Sequence, residues 1–194
     1  MKVNEIFYTL QGEGFHTGTP AVFVRLAGCN LSCPFCDTDF GSGTEMSEGE
    51  IVSAVVEYPV SWVVITGGEP ALQLTATLVD SLHQHSKRVA LETNGTVEPP
   101  SNVDWITLSP KDIFLGKEAS PVLAEVDELK VVYDGIHQPD LYPQIKVRHA
   151  RFLQPCDMGN QQCNELIINK TIDYIKTNPQ WRLSLQIHKM IGIK

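Results

Sequence analysis

Short apolar runs alternate with helical patterns along the chain, and this alternation constrains the fold more than any other feature. AVFVRLA at 21–27 and WVVIT at 62–66 are typical of buried strands, and Arg88–Thr93 gives the next one. Ser47 and Glu50 form a capping box that opens a helix between the first two runs. Strands joined by helices pair in parallel, because a parallel pair needs a long crossover. The sequence therefore predicts an α/β fold.

Further elements continue this pattern towards the end of the chain. Leucines at helical spacing predict a helix after the second strand: Leu74, Leu78 and Leu82. Isoleucines at helical spacing predict a last helix that ends before Pro179: Ile168, Ile172 and Ile175. More strands are predicted at Trp105–Leu108, Glu128–Tyr133 and Arg151–Leu153.

The later connections limit how far the pattern extends. Residues 94–103 and 110–126 are rich in Pro and Gly and show no helical period. The helices are therefore too few for a complete barrel of about eight strand–helix units. We expect residues 1–194 to form a single domain, a shortened and partly open parallel β/α barrel with about six strands and few helices. Ligands gather at the carboxyl ends of parallel strands, so a site is expected there.

The charge of the chain argues against nucleic acid as a partner. The formal net charge is −8, and the fifteen basic residues are scattered rather than clustered. Most nucleic-acid binders need a basic surface patch, so we expect a small-molecule ligand instead. The first residues, MKVNEIFYTL, contain one lysine and no long apolar run, which is typical of neither a signal peptide nor a membrane span. We therefore expect a cytoplasmic protein that does not bind membranes.

Three of the five cysteines lie in the stretch CNLSCPFCDT at 29–38, with the spacing C-x3-C-x2-C. Thiols in a reducing compartment remain available for metals. Thiolates are the usual ligands of iron–sulfur clusters, and three of them leave one iron of a four-iron cluster open to another ligand. Two other interpretations stay open: a zinc site completed by Asp37 or Cys156, and an electron-carrier cluster with Cys156 as its fourth ligand. Cys156 and Cys163 are otherwise expected to be buried or bystander residues.

The cysteine spacing resembles that of the radical S-adenosylmethionine (SAM) enzymes. Their second hallmark is a Gly-Gly-Glu-Pro motif, and GGEP at 67–70 matches it directly after the second predicted strand. The resemblance implies that Cys29, Cys33 and Cys36 hold a 4Fe-4S cluster and that SAM completes the coordination of the fourth iron. It also implies that the motif at 67–70 contacts the amino group of SAM.

A closer resemblance covers nearly the whole chain. Seven segments, in order, are similar to the 7-carboxy-7-deazaguanine synthase family: FYTLQGEGFHTGTPAVFVRLAGCNLSCPFCDT, TGGEP, LETNGT, LSPK, ELKVVY, FLQP and QIHKMIGIK. That family converts 6-carboxy-5,6,7,8-tetrahydropterin to 7-carboxy-7-deazaguanine with loss of ammonia, on the route to queuosine and other 7-deazapurines. The resemblance implies a lyase that uses SAM as a reusable radical initiator, requires Mg2+, forms a homodimer and receives its electron from a flavodoxin or a ferredoxin.

The resemblance also implies roles for individual residues. The residues implied to bind SAM are Phe35, Cys36, Asp37, Gly68, Glu69, Ser109, Pro110, Lys111, Gln154, Pro155, Cys156 and Asp157. Thr38 is implied to bind Mg2+. The residues implied to bind the pterin are Leu10, Gln11, Gly12, Glu13, Arg25, Thr66, His188 and, through a terminal carboxylate, Lys194. This chemistry requires no side-chain nucleophile.

Side-chain chemistry supports two of these pterin contacts independently. A carboxylated pterin presents N–H donors on one edge and a carboxylate on another. The Glu13 carboxylate can accept from two N–H groups at once, and the Arg25 guanidinium matches a carboxylate. Arg25 stands in a predicted buried strand, where a guanidinium without an anionic partner would be unfavourable. Both residues therefore suit an anionic, N–H-rich substrate.

Two other functions stay open on the sequence alone. A glycyl-radical activase shares the cysteine loop and would act on a partner protein, but that function leaves the loop 10–14 and Arg25 unexplained. A non-catalytic adaptor that holds zinc or a cluster would need none of the SAM contacts. One zinc ion and no labile sulfide in anaerobically purified protein would favour the adaptor.

Overall fold

The fold is described by a computed structural model that covers residues 1–36, 38–39, 41–139 and 142–194. Within these ranges the backbone forms one sheet of nine strands. The strands are β1 (Lys2–Leu10), β2 (Pro20–Leu26), β3 (Thr44–Glu45), β4 (Trp62–Gly67), β5 (Arg88–Thr93), β6 (Trp105–Leu108), β7 (Glu125–Tyr133), β8 (Lys146–Pro155) and β9 (Arg182–Leu183). The α-helices are α1 (Glu48–Val56), α2 (Ala76–Gln84), α3 (Asp112–Leu115), α4 (Gln161–Thr177) and α5 (Ile187–Ile191). Single 3-10 turns lie at Pro70–Leu72 and Lys117–Ala119.

The sheet is mostly parallel, as the sequence predicts. Its strand order is β3-β1-β2-β4-β5-β6-β7-β8-β9. From β2 to β9 every neighbouring pair is parallel, whereas β1 pairs antiparallel with β2 and with β3. The sequence patterns do not predict β1, because its residues alternate only weakly between buried and exposed positions. The mixed α/β architecture with few helices is confirmed.

Contacts across the cavity show that the sheet is strongly curved. Glu13 follows β1, yet its carboxylate lies 2.7 Å from the Lys130 ammonium on β7. Five strand steps separate β1 from β7, which would place them about 24 Å apart in a flat sheet. The sheet must therefore curl so that its antiparallel edge approaches β7. In the described part of the chain, β3 and β9 remain the unjoined edges of this partial barrel.

The helices cover the outer face of the sheet through the apolar residues that the sequence singles out. The capping box at the start of α1 is confirmed, since the Ser47 side chain accepts from the Glu50 amide and the Glu50 side chain accepts from the Ser47 amide. In α2, Leu78 and Leu82 are fully buried, and Leu74 is buried just before the helix begins. No helix in the described ranges has the length and apolarity that crossing a membrane requires.

The last long helix is rotated relative to the prediction. The buried face of α4 centres on Ile167 and Thr171, and the predicted residues Ile168, Ile172 and Ile175 lie beside that face, partly buried. Thr171 tolerates burial because its hydroxyl donates to the Ile167 carbonyl at 2.7 Å, one turn earlier. The connection 110–126, for which no helical period is readable, contains the short helix α3. Four residues are too few to produce a readable period.

Replacing Ser47 by alanine tests whether the capping box contributes to stability. We expect Ser47→Ala to lower the free energy of unfolding by about 1 kcal/mol, because the first turn of α1 loses its side-chain acceptor. Urea unfolding monitored by circular dichroism measures this difference. Ser53→Ala is the matched control, since Ser53 is exposed in the middle of the same helix. An equal loss in both variants would contradict the capping role.

Candidate active site

The carboxyl ends of the parallel strands surround a cavity of about 570 Å³. Successive residues of a strand point to opposite faces of the sheet, so alternate positions face this cavity. Five strands each supply at least one polar residue in this way: Arg25 from β2, Thr66 from β4, Glu92 from β5, Lys130 from β7 and Gln154 from β8. The site expected at the strand ends therefore coincides with the large cavity.

The cavity brings together most of the predicted site residues. Those lining it are Leu10, Gln11, Gly12, Glu13, Arg25, Cys29, Cys33, Phe35, Cys36, Thr38, Thr66, Gly68, Ser109, Lys111, Gln154, Pro155, Cys156, Asp157, His188 and Lys194. Glu69 and Pro110 do not line it. Asp37 lies outside the described residues. The predicted cysteine, SAM and pterin residues thus share one continuous space.

The three clustered cysteines lie on a loop that follows β2. The Cys36 amide donates to the Cys33 carbonyl at 3.2 Å, and the Cys29 sulfur accepts from the Leu31 amide at 3.4 Å. Burial raises the pKa of the Cys29 and Cys33 thiols, so their thiolate forms need a positive partner such as iron. Three sulfur donors on one cavity wall fit an iron–sulfur cluster.

Two glycines allow the cysteine loop to pack against the end of β4. Gly67 has a φ of 135°, and a Cβ atom there would lie 1.9 Å from the Leu26 carbonyl oxygen. A Cβ atom on Gly68 would lie 2.1 Å from the Gly28 carbonyl oxygen. The Glu69 amide then donates to that same Gly28 carbonyl at 2.9 Å. Backbone contacts that only glycine permits therefore fix the position of the cysteines.

Glu69 lies beneath the cavity floor rather than on its surface. It is fully buried, and its carboxylate accepts from the Ala71 amide at 2.9 Å, the Thr93 hydroxyl at 2.7 Å and the Asn94 amide at 2.7 Å. These bonds attach the turn after β4 to the end of β5. The predicted SAM contacts of Glu69 and Pro110 remain predictions.

A buried ammonium between two carboxylates forms the opposite wall. The Lys130 nitrogen lies 2.7 Å from Glu13 and 2.9 Å from Glu92, and Gln186 donates to the second Glu13 oxygen at 3.0 Å. Burial alone would raise the pKa of Glu13, but Lys130 outweighs it and lowers this pKa to about 2. Burial raises the pKa of Glu92 in spite of Lys130. When all three groups are ionised, this ion cluster (Glu13, Glu92 and Lys130) carries one net negative charge.

Sequence reasoning did not assign Glu92 or Lys130 to the site. Both stand in segments that carry the family resemblance, LETNGT and ELKVVY. The sequence feature that could have identified them is a charged residue inside an apolar strand, because such a residue is rarely buried without a partner. Lys130 is only 5% exposed.

A second charged group lies on the β1 and β2 side of the cavity. Arg25 donates from Nε to Glu5 at 3.0 Å, and the Lys194 ammonium pairs with the other oxygen of Glu5. The Thr9 hydroxyl donates to the Lys194 carbonyl at 2.9 Å, which fixes the end of the chain against β1. Glu5 is therefore an anionic partner of Arg25 that the sequence did not predict. Arg25 and the Lys194 ammonium thus share the carboxylate of Glu5 on this side of the cavity.

The remaining predicted residues form the other walls. The Lys111 ammonium donates to the Ser109 carbonyl and to its hydroxyl, at 2.5 and 2.7 Å, and burial lowers its pKa to about 8. The Ile187 amide donates to the Gly12 carbonyl at 3.0 Å, which packs α5 onto the loop after β1. His188 lies so close that a Cβ atom on Gly12 would be 2.2 Å from its Nδ1.

Thr38 lies on the cavity wall immediately after the cysteine loop. Its hydroxyl is a hard oxygen of the kind that Mg2+ prefers. The Cys36 sulfur lies 3.8 Å from the Thr38 carbonyl oxygen. Across the residues that the structure describes, no group of three His, Cys, Asp or Glu side chains is arranged to hold a single metal ion.

Comparisons with known proteins agree with this geometry. A family profile described as the Radical SAM superfamily matches residues 23–112. A 7-carboxy-7-deazaguanine synthase from Bacteroides thetaiotaomicron is 48% identical over 194 residues, with 100% of this chain and 98% of the relative covered. Another, from Bordetella pertussis, is 40% identical, with 98% of each chain covered.

The fold is also similar to a solved structure. The crystal structure of QueE from Escherichia coli aligns with a TM-score of 0.73 at 27% identity, covering 96% of this chain and 94% of that one. The mostly parallel sheet and the small number of helices are therefore features shared with that enzyme. From the full-length identity to these relatives and the matched superfamily profile, this chain belongs to the 7-carboxy-7-deazaguanine synthase family of radical SAM enzymes.

Proposed function

We propose that the chain is a 7-carboxy-7-deazaguanine synthase that converts 6-carboxy-5,6,7,8-tetrahydropterin to 7-carboxy-7-deazaguanine and ammonia in queuosine biosynthesis. The observation that carries the proposal is one cavity lined by three cysteines, by the buried ion cluster and by Arg25 with its partner Glu5. The full-length similarity to enzymes of that name supports it. Neither an activase nor an adaptor requires such a polar, enclosed small-molecule site.

Cys29, Cys33 and Cys36 would hold the 4Fe-4S cluster. When bound, the reduced cluster and SAM together supply a carbon-centred radical that starts the reaction. The chain's own contribution is to position the loop: Gly67 and Gly68 let the cysteines lie next to the strand ends, where the cavity opens. The predicted SAM residues 109–111 directly follow β6, and residues 154–157 lie at the end of β8. Residues from both ranges line the same cavity as the cysteines.

The charges of the cavity would orient the pterin. Glu13 and Glu92 present carboxylate oxygens that suit the N–H groups of the pterin edge, while Arg25 suits its carboxylate. Because these groups are held by Lys130 and Glu5, little side-chain movement is needed on binding. Gln11 donates to Glu92 at 3.2 Å and keeps that carboxylate directed into the cavity. The substrate would thus be fixed in one orientation relative to the cysteines.

Several finer features are part of the proposal. Thr38 would contribute a hydroxyl oxygen to Mg2+, with the substrate and water supplying the other ligands. Helix α5, which contains His188, and the residues after it up to Lys194 would help to exclude water from the pterin. We also propose a cytoplasmic location, since a set of free cysteines suits a reducing compartment. From the family resemblance we further propose a homodimer that receives electrons from a flavodoxin or a ferredoxin.

The first test concerns the cluster. We expect Cys33→Ala to lose most of its iron and labile sulfide and to form no deazaguanine chromophore, because two thiolates cannot hold the cluster alone. Iron and sulfide analysis, together with an anaerobic assay containing dithionite, SAM, Mg2+ and the carboxytetrahydropterin, measures both effects. Cys163→Ala is the matched control, since Cys163 is exposed on α4. One zinc ion per chain without sulfide in the wild type would refute the proposed function.

A second test concerns recognition of the substrate carboxylate. We expect Arg25→Ala to keep the cluster but to weaken pterin binding by about one to two orders of magnitude, because a charged hydrogen bond contributes about 1.5–3 kcal/mol. Binding titration under anaerobic conditions gives the dissociation constant. Arg182→Ala, at an exposed position on β9, should bind like the wild type. Unchanged binding by Arg25→Ala would place the substrate carboxylate elsewhere.

The third test addresses Thr38 and Mg2+. We expect Thr38→Ala to require a higher Mg2+ concentration for half-maximal turnover, because the ion loses its one protein oxygen. Thr38→Ser keeps the hydroxyl and should retain the wild-type Mg2+ dependence. Turnover measured across a Mg2+ titration compares the three proteins. Identical curves for the alanine and serine variants would remove Thr38 from the metal site.

A further inference from the structure

A second, much smaller cavity lies below the ion cluster, on the side away from the cysteines. Its volume is about 10 Å³, close to the volume that a single water molecule needs. Residues of the loop between β1 and β2 line one side, and residues of the strands line the other. Glu13 and Glu92 contribute to the walls of both cavities. The small cavity is therefore directly adjacent to the proposed pterin site.

Two buried polar atoms on its walls have no hydrogen-bond partner within the described residues: Oε1 of Glu128 and Nε2 of His16. Glu128 is only 2% exposed. Buried polar atoms are almost always hydrogen-bonded, to protein or to ordered water. Glu128 and His16 both line this water-sized cavity, and an ordered water there would supply the missing partner.

Glu128 also holds the loop that carries Glu13. Its Oε2 accepts from the Phe15 amide at 3.1 Å and lies 3.5 Å from the Thr107 hydroxyl. A Cβ atom on Gly14 would lie 2.0 Å from Oε1, so the carboxyl packs directly on this glycine. Glu128 precedes Lys130 by two positions on β7, so both side chains face the barrel interior.

The surroundings of this cavity shift the pKa values of Glu128 and His16. Burial raises the pKa of Glu128 to about 7, with Lys130 acting in the opposite direction and Glu92 adding to the increase. Burial lowers the pKa of His16, and Arg88 and His149 lower it further while Asp127 raises it. Glu13 and Glu92 are the other acids on the cavity wall.

We propose that an ordered water in this cavity links Glu128 and His16, and that these groups carry protons between the ion cluster and the base of the barrel during turnover. This inference rests on the proposed function, in which release of ammonia moves protons from the ring to the departing nitrogen. In each passage Glu128 gains one proton from the side of Glu92 and gives one to the water, the water gives one to His16, and the partly exposed His16 releases one to solvent. No group is oxidised or reduced. Glu128 acts through the water and Glu92 and does not touch the substrate.

The test uses Glu128→Gln, because the amide retains an oxygen that can accept from Phe15 but does not ionise. We expect a fall of about tenfold or more in kcat, as for loss of a proton-transfer group, with the KM for the pterin unchanged. Below pH 7 the wild-type kcat should fall as Glu128 becomes protonated, and this acidic limb should be absent from the variant. Glu125→Gln, at the partly buried start of β7 and outside the lining of both cavities, is the matched control.

Two further measurements keep the inference testable if Glu128→Gln folds poorly. His16→Gln should lower kcat in the same direction while leaving iron content and SAM binding unchanged. A high-resolution crystal structure of the wild type should show water density between His16 Nε2 and Glu128 Oε1. Wild-type kcat and pH dependence in both variants, or a dry cavity, would overturn the inference. Absence of deazaguanine from the wild type would instead refute the proposed function, so the two failures are distinguishable.

Discussion

The rest of the site depends on the buried ammonium of Lys130 between Glu13 and Glu92. The three groups come from β7, from the loop after β1 and from β5, so their contacts join distant parts of the sheet. A buried ion pair adds little net stability compared with apolar residues, but removing one partner costs about 3–5 kcal/mol because a charge is left uncompensated. The ion cluster therefore contributes more to the specificity of the fold than to its stability. It joins the loop after β1 to β7 and β5 across the curled sheet, beside the cavity.

The cavity has two charged groups that present different functional groups, and a ligand that matches both is held in one direction. The ion cluster supplies carboxylate oxygens, whereas Arg25 and Lys194 share the single carboxylate of Glu5. A ligand with N–H donors at one end and an anion at the other fits in one orientation and meets like charges in the reverse one. Electrostatic complementarity of this kind contributes specificity more than affinity. Both groups are preassembled, so the site does not need the substrate in order to form.

Local sequence patterns predicted the parts of the fold that local interactions determine. The buried strands β2, β4, β5 and β6 lie within about one residue of their apolar runs. The strand β1 was not predicted, because it has no clear apolar face. The cysteine loop and GGEP motif were readable because their chemistry depends on short spacings. Lys130 and Glu13 are 117 residues apart, and Lys130 and Glu92 are 38 apart, so no local pattern could pair them.

The two halves of the site are consequently built by different physical means. Around the cysteines, glycine backbones and main-chain hydrogen bonds set the geometry, since Gly67 and Gly68 leave no room for a Cβ atom and the Glu69 amide bonds to Gly28. Around the ion cluster, long-range contacts between charged side chains set the geometry. Near the cysteines, any side chain larger than that of glycine at position 67 or 68 would clash with neighbouring backbone. The charged half joins β5, β7 and the loop after β1, so it requires most of the sheet to be folded. The cysteine loop depends on nearer partners: the end of β4 and, through the Asn30 side chain that donates to Thr96, the segment after β5.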